Sequence, residues 1–184
     1  AALANMLVPL NSTMLAVALP SIIEDFDVSL ATSGWLITGY LIAMASLLPL
    51  SGKIGDRFGR RNVVLLGLIT FGGASIAAGF APNLATLMAF RIMQGASGAL
   101  ITPNTSALIR ESVPEARRGM AFGILGAVIG VAAGLGPPVG GVLVEFAGWR
   151  AIFFFSVIVI VPAFAIGWST LRKPQSLGSF GQFD

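Results

Sequence analysis

The chain contains no cysteine and no histidine, which excludes thiol chemistry, disulfides, His-ligated metal sites and Ser/His or Cys/His catalysis together. No cofactor and no metal site is therefore expected, and a membrane enzyme would lack a plausible catalytic set. Charge is scarce as well: 10% of the 184 residues are charged, against 55% hydrophobic. With a mean hydropathy of +0.88, this is the composition of an integral membrane protein. The net charge of +3 does not point to nucleic acid. The cations cluster at the ends of apolar runs, where lipid headgroups are the natural counter-ions. No basic region or cleavage site precedes the first apolar run, so no signal peptide is read at Ala1, and the natural N-terminus is expected upstream.

A membrane span takes roughly 20 apolar residues. Six fit between the charged breaks, at 1–23, 29–51, 63–81, 84–109, 119–144 and 151–171, followed by a tail over 172–184. The fold class expected is all-α, a six-helix transmembrane bundle over 1–171. Orientation follows from charge. With the N-terminus cytoplasmic, the inner connections and tail hold Lys53, Arg57, Arg60, Arg61, Arg110, Arg117, Arg118, Arg172 and Lys173, nine of eleven cations. The outer connections hold Arg150 beside Glu24, Asp25, Asp27 and Glu145. The positive-inside rule then places both termini, and the tail, on the cytoplasmic side.

Gly52 to Asn62 concentrates Lys53, Arg57, Arg60 and Arg61 with Asp56 and three glycines, Gly52, Gly55 and Gly59. It reads as a short, sharply folded hairpin between two spans. Taken alone, it does no more than set topology. Its spacing recurs, however: Gly52, Asp56, Gly59 and Arg61 match Gly141, Glu145, Gly148 and Arg150, each 89 residues later. The offset spans three helices, an odd number, so the second copy must be inverted in the membrane. The bundle is thus expected to be a 3+3 inverted repeat, approximately 1–81 and 84–171.

Arg91 is the charge farthest from the end of any span, and lies roughly 12 Å below the outer end at 1.5 Å per residue. Its neighbours Gln94, Gly95, Ser97, Gly98 and Ala99 are polar or small. A buried Arg is costly, by at least about 2.5 kcal/mol at mid-depth. It should therefore either face the protein interior with a partner or snorkel outward. Asn11, Ser12 and Thr13 form the polar run of the first span, and Asn11 is the expected partner. No carboxylate lies deep in any span. In the fifth span, Gly126, Gly130 and Gly134 recur on one face ahead of Gly136-Pro137-Pro138-Val139-Gly140-Gly141. The stripe serves either tight packing or a hinge, and the prolines are expected to kink or break the helix.

Together these stretches resemble the major facilitator superfamily. Gly52 to Asn62 is similar to its loop between the second and third helices, and Arg91 with Gln94, Gly95 and Ala99 to its fourth-helix motif. Gly136-Pro137 with Gly140-Gly141 is similar to the fifth-helix motif of its drug/proton antiporters. Asn11 to Pro20 and Gly148 to Phe153 resemble the fourteen-helix multidrug efflux branch. The resemblance covers essentially the whole chain and implies one six-helix half of such a transporter.

By that resemblance Asp56 would tie its loop to the opposing half, with Arg57, Arg60 and Arg61 anchoring the loop at headgroups or partner acids. Arg91 would take part in proton coupling, and the segment at Gly136-Pro137 would block leakage and set the direction of export. The function implied is proton-coupled efflux of amphipathic or cationic small molecules by rocker-switch alternating access, in a bacterial inner membrane. The partners implied are lipid, a small-molecule substrate, protons and a second six-helix half, either in the same polypeptide or in a second copy. Three departures stand out. Asn11 replaces an Asp, Ser156 and Ile158 replace an Asn and a Pro, and one half cannot enclose a central cavity alone. The alternative reading is a membrane-embedded interaction or regulatory half without transport of its own.

Overall fold

The computed structural model describes residues 2–170. Six helices follow one another: α1 (Ala2–Phe26), α2 (Leu30–Phe58), α3 (Arg60–Gly79), α4 (Leu84–Ser112), α5 (Glu115–Ala147) and α6 (Ala151–Thr170). Each is long and apolar enough to cross a bilayer, as the hydropathy pattern requires. The expected tail, with Arg172 and Lys173, lies outside the described residues. Ser29 and Asn83 open α2 and α4 as N-caps. Their side-chain oxygens accept from the backbone N–H of Thr32 at 3.1 Å and of Thr86 at 2.9 Å, satisfying donors that a helix start leaves free.

Two expectations need correction. The stretch from Gly52 to Phe58 is not a hairpin loop but the last turns of α2, and the chain breaks at Gly59 alone before α3 begins. Only Gly59 of the three glycines has a positive φ, at 86°. A helix end that has left the lipid can carry Lys53, Asp56 and Arg57 on its surface without unwinding. The second correction concerns Pro137-Pro138, which neither break α5 nor end it; the helix continues to Ala147. Each proline removes one hydrogen-bond donor, but α5 is held across this stretch by its packing on α1. Pro9, Pro20, Pro49, Pro103 and Pro162 lie inside helices as well, as membrane helices tolerate when neighbours support the backbone.

The distribution of polarity is inverted relative to a soluble protein. Arg91, Asn11, Gln94, Ser75 and Asn104 are buried, while Leu30, Leu41, Ile42, Ile69, Val131 and Ile158 are each at least half exposed. Such a surface suits hydrocarbon. Two apolar clusters fill the interior. One gathers Met14, Leu15, Ile22, Leu36, Leu87, Trp149 and Phe153; the other gathers Leu7, Tyr40, Leu68, Phe71, Ile101 and Ile160.

The packing follows a pattern of exchange. The main contacts run between α2 and α4, α1 and α5, and α3 and α4, with α6 against α3 and α1. Swapping α1 with α4, α2 with α5 and α3 with α6 turns the α2–α4 contact into the α5–α1 contact. The two positive-φ glycines among the described residues, Gly59 and Gly148, stand 89 positions apart. Each ends a long helix, α2 or α5, and is followed almost at once by the next. They lie at opposite ends of the bundle, as an inverted repeat demands.

Candidate functional site

Between the two apolar clusters lies a polar layer centred on Arg91. Its side chain is fully buried. One Nη donates to Asn11 Oδ1 and, at 2.8 Å, to Gln94 Oε1. Nε donates to the carbonyl of Leu36 at 3.3 Å, and the guanidinium lies 4.4 Å from the centre of the Tyr40 ring. The outer atoms extend the chain: Asn11 Nδ2 donates to Ser156 Oγ at 2.8 Å, and Gln94 Nε2 to Ser75 Oγ at 2.7 Å. Both serine hydroxyls in turn donate to carbonyls of their own helices, Ile152 at 3.0 Å and Phe71 at 2.8 Å.

One guanidinium thus ties together α1, α2, α3, α4 and α6. Arg91 reaches Asn11, as its sequence position suggested. Every hydrogen-bond acceptor it contacts is neutral, and its second Nη has no hydrogen-bond partner. A buried donor without a partner is unusual, and a buried guanidinium facing only neutral groups keeps an uncompensated charge. That nitrogen therefore has a donor to offer to an acceptor or anionic group that reaches it.

Sequence reasoning missed Tyr40, Ser75 and the carbonyl of Leu36, and noted Ser156 only as a departure. Tyr40 is the single tyrosine of the chain and lies mid-span, which was the available signal. Ser75 and Ser156 answer a counting argument: once Gln94 and Asn11 turn their oxygens to Arg91, each amide nitrogen still needs an acceptor.

The remaining candidate residues separate into two places. At the Gly59 end, Asp56 pairs with Arg60 at 2.8 Å, and Arg60 also meets Glu111 of α4 at 3.2 Å. Asp56 is therefore engaged within this half. Arg61 is buried, donates to the carbonyl of Trp168 at 2.8 Å and stacks on that indole at 5.0 Å, fastening α3 to α6. Arg57 lies 5.6 Å from the Phe58 ring. Gly55 has a packing role, because a methyl group there would collide with the Asn104 side chain, whereas one at Gly52 would meet nothing.

On α5 the glycines divide in a way the stripe did not foretell. Gly136 and Gly140 press on α1. A methyl group at Gly136 would collide with Thr13, and one at Gly140 would lie 3.0 Å from Met14 Cα. Gly126, Gly130, Gly134 and Gly141 have open space where a Cβ would point. Pro137 lies in the helix between the two contact glycines.

A family model described as the Major Facilitator Superfamily matches residues 1–182. The tetracenomycin C resistance and export protein of Streptomyces glaucescens is 41% identical over 179 residues, covering 97% of this chain and 33% of that protein. The multidrug efflux pump LfrA of Mycolicibacterium smegmatis is 38% identical over 167 residues, covering 90% of this chain and 33% of that protein. Among solved structures, a D-xylose–proton symporter superposes with a TM-score of 0.80 at 17% identity, over 94% of this chain and 47% of that one. The chain spans about a third of the length of these curated relatives.

Proposed function

The chain belongs to the Major Facilitator Superfamily, and we propose that it forms one six-helix half of a secondary active exporter of amphipathic or cationic small molecules. The observation that carries this reading is the buried Arg91 joined to Asn11 and Gln94, with one N–H left free. A charge held at such depth by neutral groups is expensive to keep for packing alone. It is suited to a substrate or coupling group that arrives and leaves. The resistance and export named for the relatives supports efflux as the direction.

In this reading the 3+3 repeat, about 1–81 and 84–171, rocks as one body against a second six-helix half. That half lies either further along the same polypeptide or in a second copy. Protons drive the cycle. Since Asn11 cannot titrate and no Asp or Glu lies deep in the described spans, the second half supplies the proton-carrying carboxylate. Gly52, Gly55, Asp56, Arg57, Gly59, Arg60 and Arg61 form the cytoplasmic gate, and Gly136, Pro137 and Gly140 form the leak-proof seam with α1. Gly130, Gly134 and Gly141, which have open space within this half, are left for the second half to cover. The membrane is a bacterial inner membrane, with both ends of this half cytoplasmic.

The test is ethidium efflux from pump-deficient bacterial cells expressing the full gene product. Efflux should stop with a protonophore, and Arg91→Ala should reduce it to the level of empty vector while the protein stays in the membrane at normal abundance. Wild-type efflux from the Arg91→Ala variant would remove Arg91 from the pathway. Failure of the unmodified protein to move ethidium or any other cationic dye would favour the regulatory half, which Asn11 in place of a carboxylate also suits.

A further inference from the structure

A second place in the molecule has the chemistry of a ligand site and no part in the polar centre. At the Gly148 end, an open hollow of about 530 Å³ is lined by Ser21, Glu24, Asp25, Gly148, Trp149 and Arg150. Trp149 is its rigid wall. The residue is only 4% exposed, its indole N–H donates to Asp25 at 3.1 Å, and Phe26 and Phe153 brace the ring edge to face. The Arg150 guanidinium lies over that ring at 4.2 Å, pairs with Asp25 at 2.9 Å and comes within 6.0 Å of the Phe26 ring.

An aromatic face with a carboxylate beside it is the chemistry that recognises organic cations. Here a cation already occupies it, and that cation belongs to the chain. Two features make Arg150 a weak occupant. Its side chain and that of Asp25 are 42% and 41% exposed, so water screens the pair. The hollow is also not neutral with Arg150 in place: Glu24 and Asp25 carry two negative charges against one positive, leaving one negative charge for a further cation. Asp27 and Glu145 add to the negative field at this end of the bundle.

We propose that this hollow binds a small monovalent organic cation of the quaternary ammonium or guanidinium type, and that Arg150 is its tethered internal occupant. The incoming cation takes the Trp149 face and the Glu24 and Asp25 carboxylates, and Arg150 swings into water. No proton or electron moves. This site is separate from the Arg91 centre, and its occupancy does not depend on the transport reading.

The test uses the full-length gene product in lipid nanodiscs and tetraethylammonium as the probe. Phenylglyoxal labelling of Arg150, read by peptide mass spectrometry, should accelerate with tetraethylammonium, because displacement frees the guanidinium. This arm needs no substitution and so survives any folding defect. Arg150→Gln removes the competitor and should tighten tetraethylammonium binding about tenfold, the combined weight of an exposed ion pair and a cation–aromatic contact. Glu24→Gln, which leaves the Asp25–Arg150 pair intact, should weaken binding. Labelling of Arg150 that slows or stays constant with tetraethylammonium overturns the proposal, as does an Arg150→Gln variant that binds the probe no more tightly. A failed efflux assay would leave all three readouts unchanged.

Discussion

Helices α2 and α4 meet along a seam stitched by hydrogen bonds, whereas α1 and α5, which take their places when the two halves of the bundle are exchanged, meet through glycine and backbone. On the first seam Asn104 Nδ2 donates to the carbonyl and hydroxyl of Ser51 at 3.2 and 3.0 Å, and Arg91 donates to the carbonyl of Leu36. On the second, Gly136 and Gly140 lie against Thr13 and Met14. The Thr13 hydroxyl turns back to Pro9 and Leu10 of its own helix, at 2.9 and 3.2 Å. Glycine gives both seams their closeness, but among the hydrogen bonds described only the first seam has polar pins. Hydrogen bonds fix register, while small residues merely permit approach. The difference therefore predicts one rigid contact and one that can slide along its length.

The largest effect should come from breaking the pinned seam. A methyl group at Gly95 would run into the backbone carbonyl of Tyr40, an atom that no rotamer change can move. Gly95→Ala should destabilise the bundle by about 3 kcal/mol, the upper range for overpacking, measured as loss of monodisperse protein on heating in detergent. Gly140→Ala tests the smooth seam in the same way. Its Cβ would meet Met14 backbone at 3.0–3.1 Å, which a slight shift of α5 relieves, so about 1 kcal/mol is expected. Equal costs at the two positions would erase the distinction between the seams.

Next in size are the two turns. Gly59 and Gly148 have φ of 86° and 76° with ψ of 121° and 168°, regions that side chains with a Cβ avoid. Gly59→Ala and Gly148→Ala should each cost about 1–3 kcal/mol, and by similar amounts if the repeat is structural as well as sequential. A cost at one turn and none at the other would show that the 89-residue spacing pairs unlike elements.

How much of this was legible in advance depended on the kind of residue. Charges mark depth, so the six spans and the isolated position of Arg91 could be read directly, and the need of a buried guanidinium for a partner led to Asn11. The pair of glycine turns was legible as a spacing. The end of α2 was not, because glycines and charges in a row signal a loop in water as readily as a helix leaving lipid. Ser75 and Ser156 were illegible for a different reason: a small neutral polar residue in an apolar run carries no signal of which face it occupies. The α5 glycines fail on the same point. Their four-residue spacing shows that Gly126, Gly130 and Gly134 share a face, but Gly136 and Gly140 are the ones that α1 covers.

The smallest effects compare single side chains across the seams. Asn104→Ala removes the amide that donates to Ser51 and leaves the space above Gly55 unfilled, so about 1–2 kcal/mol should be lost. That is one or two interhelical hydrogen bonds at membrane strength with a small cavity added. Thr13→Ala removes a hydroxyl that bonds only within α1, so the change should stay within about 0.5 kcal/mol. The ratio matters more than either value, because both residues stand at the closest approach of a helix pair and differ in whether they bond across it. If Thr13→Ala proved as damaging as Asn104→Ala, the α1–α5 contact would depend on side-chain shape rather than on glycine backbone. It would then be locked in register, and α5 could not slide past α1.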